Sequence, residues 1–168
     1  MELLDVYNEK GERTGKVVDR SADDASFVDG ERIAVAIIYI ENDKHEFLIQ
    51  KTSKQKGNIY SATAGHVLHN EKPIETIIRE VKEELGIDIS NEDIVDLGCL
   101  VVDFPVRFIF YLKKNIDLNE LFLQKDEVQE VMYMSEKEIR TEIEKGTMNK
   151  DYVQSIMLDL VLDYSNKK

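Results

Sequence analysis

The chain has no tryptophan, one cysteine, two prolines, and far fewer basic than acidic residues. Each shortage excludes something. With Cys99 alone no internal disulfide can form, and a reducing, cytoplasmic setting is the expectation. Pro73 and Pro105 stand far apart, and no stretch rich in proline or serine divides the chain. Residues 1–168 therefore read as one domain, long enough to bury a single core. No apolar run nears the roughly 18 residues that span a bilayer, and the longest, residues 33–40, is of strand length. The start, MELLDVYNEK, lacks the basic head and apolar middle of a signal peptide. No membrane association is expected. The 22 Lys and Arg face 34 Asp and Glu, a net charge of −12. Such a field repels nucleic-acid polymers and anionic membranes. It would also repel a small anionic substrate, unless a local basic patch or a bound cation reverses it at the site.

What is present is a mixture of two periodicities. Residues 3–7 and 16–18 read as short strands joined by the turn residues of NEKGERTG. Residues 21–30 are polar and loop-like. The β-branched run 33–40 reads as a buried strand, and 41–44 turns it into a second strand over 46–51. The lysine-rich SKQKGN leads to a short strand over 59–64. Beyond Gly65 the spacing changes. Ile74, Ile77, Ile78, Val81 and Leu85 recur at three and four, which predicts an amphipathic helix starting near Pro73 and stopping at Gly86. Strands are predicted over 94–102, 106–112 and 127–134. Ser135 with Glu138 predicts a capped helix over 136–144 that Gly146 ends, and a last amphipathic helix runs over 151–164. The sum is an α+β fold, an α/β/α sandwich with a mixed β-sheet between helices.

The helix after Pro73 is unusually charged. Glu80 lies three residues from Glu83 and four from Glu84, so their side chains are neighbours. Like charges at that spacing cost a few tenths of a kcal/mol per pair in water, roughly, and more when desolvated. Two explanations are open: a solvated acidic face, or a site for a hard cation such as Mg²⁺ or Mn²⁺, whose preferred ligands are carboxylate oxygens.

The whole segment reads GHVLHNEKPIETIIREVKEELGI. It resembles the signature box of the Nudix hydrolase family, with Gly65, Glu71, Arg79, Glu80, Val81, Glu83, Glu84, Gly86 and Ile87 at its defined positions. At residue frequencies of about 6% per fixed site, a chance match is on the order of one in ten million. The resemblance implies the Nudix fold and cleavage of a diphosphate linkage in a small molecule, a nucleoside di- or triphosphate or a related nucleotide derivative. It implies Mg²⁺ or Mn²⁺ held by Glu80, Glu83, Glu84 and the carbonyl of Ala64. It also implies an orienting pair of Arg79 and Glu71, with Gly65 and Gly86 as structural glycines. Glu83 or Glu84 would take the proton from water, or Glu127 would do so from a later loop. Glu130 is a weaker alternative. Lys51 stands where relatives often carry a phosphate contact, and His66 beside the box glycine could touch phosphate or metal. Arg107, Tyr60, Phe104 and Phe108 are candidates for a pocket wall. Homodimers are frequent in the family and one is an open expectation here.

The N-terminal LLDVYNEKGERTG, the IQKTS segment and the C-terminal helices resemble the subgroup containing isopentenyl-diphosphate isomerase. That enzyme is expected to carry Cys-Gly-His at the head of the box, where this chain has Ala64-Gly65-His66. It also holds a metal with histidines before the first long strand, and residues 21–32 contain none. Isomerase chemistry is therefore not expected. A noncatalytic Nudix module that binds a nucleotide is the alternative to an enzyme, and the intact glutamates argue against it. Substrate choice is expected to rest on the loops 21–30, 53–58 and 103–107.

Overall fold

The structure is a computed structural model describing residues 2–21 and 27–167. Along the chain run β1 (Leu3–Tyr7), β2 (Arg13–Asp19), β3 (Ala34–Glu41), β4 (Phe47–Thr52), β5 (Tyr60–Ser61), β6 (Thr63–His66), α1 (Pro73–Leu85), β7 (Val95–Leu100), β8 (Val106–Lys113), β9 (Val128–Met134), α2 (Glu136–Lys145) and α3 (Asp151–Ser165). β1 and β2 form a separate antiparallel hairpin, and the seven other strands make one mixed sheet. β3 is its centre. It runs parallel to β8 along its whole length and antiparallel to β6.

Strand alternation builds the sandwich. Ala36, Ile38 and Ile40 of β3 face the apolar stripe Ile77, Val81 and Leu85 of α1. Ile37 and Tyr39 face the opposite way, onto Ile139 and Ile143 of α2 and Val153, Met157 and Val161 of α3. Burying each such side chain contributes about 1.5–3 kcal/mol. Helices on both faces of a mixed sheet are the predicted fold class.

Local signals set the helix ends. Gly86 stops α1 with φ +76°, and a Cβ there would lie 2.8 Å from Cβ of Phe122. The Ser135 hydroxyl accepts from the Glu138 N–H at 3.2 Å while the Glu138 carboxylate accepts from the Ser135 N–H at 3.0 Å. Three sequence expectations need correction. β2 starts at Arg13, so Arg13, Thr14 and Gly15 are strand and not turn. The expected strand over 59–64 is two, β5 on β4 and β6 on β3. The SKQKGN loop contains a 3₁₀ turn at Lys54–Lys56. Residues 22–26 of the expected 21–30 loop lie outside the described residues.

Two features position the site. β3 and β4 pair only at their hairpin end, through Glu41 and Phe47. Beyond it, β6 lies beside β3 while β5 and β9 lie beside β4, so the sheet opens. The N-terminal hairpin then docks on the segment leading to α1. The buried Asp5 carboxylate accepts from the Asn70 N–H at 2.9 Å and from His69 Nδ1 at 2.8 Å. His69 Nε2 in turn accepts from the Asn70 amide at 3.2 Å, which assigns the proton to Nδ1.

Candidate active site

β6 ends at His66, and residues 67–72 carry the chain into α1, whose first residue is Pro73. The Glu75 carboxylate accepts the Lys72 N–H at 2.8 Å and closes the first turn. With Ile77, Val81 and Leu85 pressed onto the sheet, helical geometry turns Glu80 and Glu84 toward β6 and leaves Glu83 more exposed. Glu80 sits directly against Gly65. A Cβ on Gly65 would fall 2.3 Å from the Glu80 carboxyl carbon. The requirement for glycine here is one of space.

Arg79 organises the carboxylates. Its Nε and Nη2 donate to Glu71 at 2.7 and 3.0 Å, a two-point grip. Its Nη1 donates to Glu80 at 2.8 Å and Glu83 at 3.3 Å, and Nη2 also reaches the His66 carbonyl at 3.2 Å. Glu71 further accepts from the Thr76 hydroxyl at 2.7 Å and the Leu68 N–H at 3.1 Å. Burial opposes the Glu71 charge, but Arg79 and these donors outweigh it and hold the carboxyl below its ordinary value.

Glu84 behaves oppositely. It is 6% exposed. Burial, a hydrogen bond to Glu80, and the nearby charges of Glu80 and Glu127 push it up to about 9. That environment favours the protonated form of Glu84. The Gln50 amide opposes the shift, donating to Glu84 Oε1 at 2.6 Å. The burial of His66 lowers its imidazole below the ordinary value, helped by the Arg20 charge.

Several of these groups line a cavity of about 450 Å³. Of the predicted residues, Ala64, Gly65, His66, Arg79, Glu80, Glu83, Glu84 and Glu127 reach it. Glu71 stands behind Arg79, and Gly86 ends the helix away from the cavity. Lys51 is not brought in. It is on β4 with its ammonium 5.5 Å from the centre of the Tyr60 ring. Glu130 pairs with Lys51 in the sheet and is exposed outside the lining. Arg107 does line the cavity, only 8% exposed and gripped by Asp103, which Lys150 also contacts at 3.0 Å. Phe108 packs on Tyr7 and Phe104 on Phe27, outside it. Cys99 lies on β7, also outside.

Sequence reasoning missed several members. Arg20, paired with Glu2 at 2.7 Å, lines the cavity from the end of the N-terminal hairpin. Gln154 and Met157 come from α3. The buried Gln50 and Thr63 support Glu84 from β4 and β6. No local pattern marks any of them, because each arrives by a long-range pairing.

The described lining holds five glutamates against three arginines. The donors suit a hard cation, being oxygen and mostly carboxylate. A bound cation would offset the burial and the Glu80 charge that raise Glu84. Arg79 now occupies Glu80 and Glu83, and no three His, Cys, Asp or Glu among the described residues already surround a common point for a metal ion.

The NUDIX domain model matches residues 30–154. The chain belongs to the Nudix family. An uncharacterised Nudix hydrolase of Listeria monocytogenes is 32% identical over 149 residues, covering 83% of each chain. An isopentenyl-diphosphate Delta-isomerase of Corynebacterium diphtheriae is 29% identical over 75 residues, 42% of this chain and 40% of that one. A solved protein of Deinococcus radiodurans superposes with a TM-score of 0.76 over 95% of this chain and 99% of its own, at 19% identity, and so shares the fold. Membership supports pyrophosphate-cleaving hydrolysis as the general activity of this Nudix chain. Among the described residues, no helix is long and apolar enough to cross a membrane.

Proposed function

We propose that this Nudix protein hydrolyses a diphosphate linkage in a nucleoside di- or triphosphate or a related nucleotide derivative, with Mg²⁺ or Mn²⁺ as cofactor. The supporting observation is the net-negative cavity in which Glu80, Glu83 and the buried Glu84 meet. A phosphate group would be repelled from those carboxylates without a cation between them.

In this reading Glu80, Glu83, Glu84 and the Ala64 carbonyl hold the cation, which when bound acidifies water and neutralises phosphate charge. Arg79 and Glu71 set the directions of the glutamate side chains. Glu83, Glu84 or Glu127 would accept the proton from the attacking water. Lys56 lies 3.6 Å from Glu127. Arg20 and Arg107, with His66, meet the substrate's anionic groups. This assignment moves the phosphate contact from Lys51 to residues that line the cavity. Gly65 and Gly86 are structural.

Isomerase chemistry is not part of the proposal. Ala64 occupies the position of the expected cysteine and has no proton or nucleophile to offer, and Cys99 lies outside the cavity. The protein is assigned to the cytoplasm.

The test is a panel of nucleoside di- and triphosphates, nucleotide sugars and dinucleotides with Mg²⁺ or Mn²⁺. Products are identified by mass spectrometry, which also shows the bond cut. Metal-dependent cleavage of a diphosphate bond is expected. Tight nucleotide binding with no turnover on any member would replace the enzyme by a binding module.

A further inference from the structure

Gln50 lies outside the Nudix box and 34 residues before Glu84, yet its buried amide donates to Glu84 Oε1 at 2.6 Å. Gln50 is 4% exposed and belongs to β4, while Glu84 belongs to α1. β4 has already parted from β3 at this point, so the amide bridges the opening of the sheet.

A glutamine amide can present either its oxygen or its nitrogen to a neighbour. Here its two neighbours together set the orientation. The Thr63 hydroxyl, 3% exposed, donates to Gln50 Oε1 at 2.7 Å. With the amide oxygen accepting that proton, the NH₂ faces Glu84, whose carboxyl oxygen accepts from it. The Glu84 backbone is anchored from outside the helix as well, since its carbonyl accepts the Gln124 N–H at 3.0 Å. Both ends of this residue are therefore held by other parts of the fold.

The amide suits the task for a specific reason. A lysine at position 50 would bring a positive charge that competes with a bound cation. A glutamate would add a further repelling carboxylate. An amide supplies a hydrogen bond to the carboxyl and no net charge, so the side chain is held in place without a charge that competes with or repels the ligand set.

We infer that Gln50, oriented by Thr63, is the positioning residue that presents the Glu84 carboxylate to the divalent cation. The inference rests on the reading of Glu84 as a metal ligand. It extends the site to a residue pair on β4 and β6.

The experiment measures Mn²⁺ binding to the metal-stripped full chain by the electron paramagnetic resonance of free Mn²⁺, with Tm recorded for each variant. Gln50→Met keeps the volume and removes the donor. Its expected effect is a loss of Mn²⁺ affinity of about 10-fold or more. Thr63→Val frees the amide to turn over and should lose affinity in the same direction by a smaller factor, about 3-fold, and Thr63→Ser should restore it. A Tm lowered in Gln50→Met with Mn²⁺ affinity unchanged would overturn the inference and leave Gln50 as a satisfied core amide. If Gln50→Met fails to fold, the Thr63 pair decides: equal affinity in Thr63→Val and Thr63→Ser overturns it. Glu84→Gln separates the two levels. Unchanged affinity in that variant overturns the metal reading itself, whereas weakened affinity there beside unchanged affinity in Gln50→Met overturns only the positioning role.

Discussion

Glu80 occupies the space that a side chain on Gly65 would fill: a Cβ there would come 2.3 Å from its carboxyl carbon. The contact is with a flexible side chain, so Gly65→Ala should displace Glu80 and leave the backbone in place. A stability cost of about 1 kcal/mol is expected, together with loss of nearly all turnover. Denaturant melts and product release on the same preparation check this. Retained turnover would show that Glu80 does not need its position under Gly65.

Glu83→Gln and Glu84→Gln should each abolish hydrolysis while preserving the fold. Glu84→Gln should also leave Tm unchanged or raise it. The buried Glu84 carboxyl is held up to about 9 by burial and by Glu80, so a neutral amide of the same shape relieves a cost. Full activity in both variants would show that the metal site is misplaced.

Arg79→Lys should not behave as a conservative change. Lysine cannot reproduce the two-point grip on Glu71 or reach Glu80, Glu83 and the His66 carbonyl together. Leaving the mostly buried Glu71 without its guanidinium should cost about 2 kcal/mol, below the value for a fully buried pair because Arg79 is partly solvated. Turnover should fall by about 10–100-fold, as for other supports of ligand groups. Urea unfolding and steady-state rates provide the comparison, and wild-type values in both would remove Arg79 from its orienting role.

Asp5 gives a pH dependence of known sign. Burial disfavours its charge, but the His69 hydrogen bond, the Asn70 N–H and the Arg13 charge prevail and hold it below its ordinary value. Its stabilising effect is complete above its unfolded value and is lost as pH falls through the lower folded value. Acid should therefore loosen β1 and β2 from the 68–70 segment. Hydrogen exchange of β1 amides should accelerate in that acid range, and Asp5→Asn should show the faster exchange at neutral pH, with a cost of about 1–2 kcal/mol. Exchange in Asp5→Asn that matches the wild type at pH 7 would rule out this latch.

Stripping divalent cations with EDTA should end product release, and Mg²⁺ or Mn²⁺ should restore it. The far-ultraviolet circular dichroism should stay the same throughout. The two main core clusters, on either face of the sheet, are formed by apolar side chains and need no ion to hold them. Collapse of the spectrum in EDTA would mean that the cation is structural.

By itself the sequence determined what depends on near neighbours in the chain. The stripe Ile77, Val81 and Leu85, the stop at Gly86, the Ser135–Glu138 cap and the crowding of Glu80, Glu83 and Glu84 on one helix follow from spacings of three and four. Tertiary structure decided what depends on strand phase and distant pairing. Lys51 and Gln50 are adjacent, yet successive strand side chains point to opposite faces. Lys51 lies over Tyr60, while Gln50 reaches Glu84. Nothing in the local pattern shows which of the two faces the site. The division of the expected 59–64 strand and the arrival of Arg20 and Gln154 at the cavity have the same cause. Each is set by which distant segment pairs with which, and in what register.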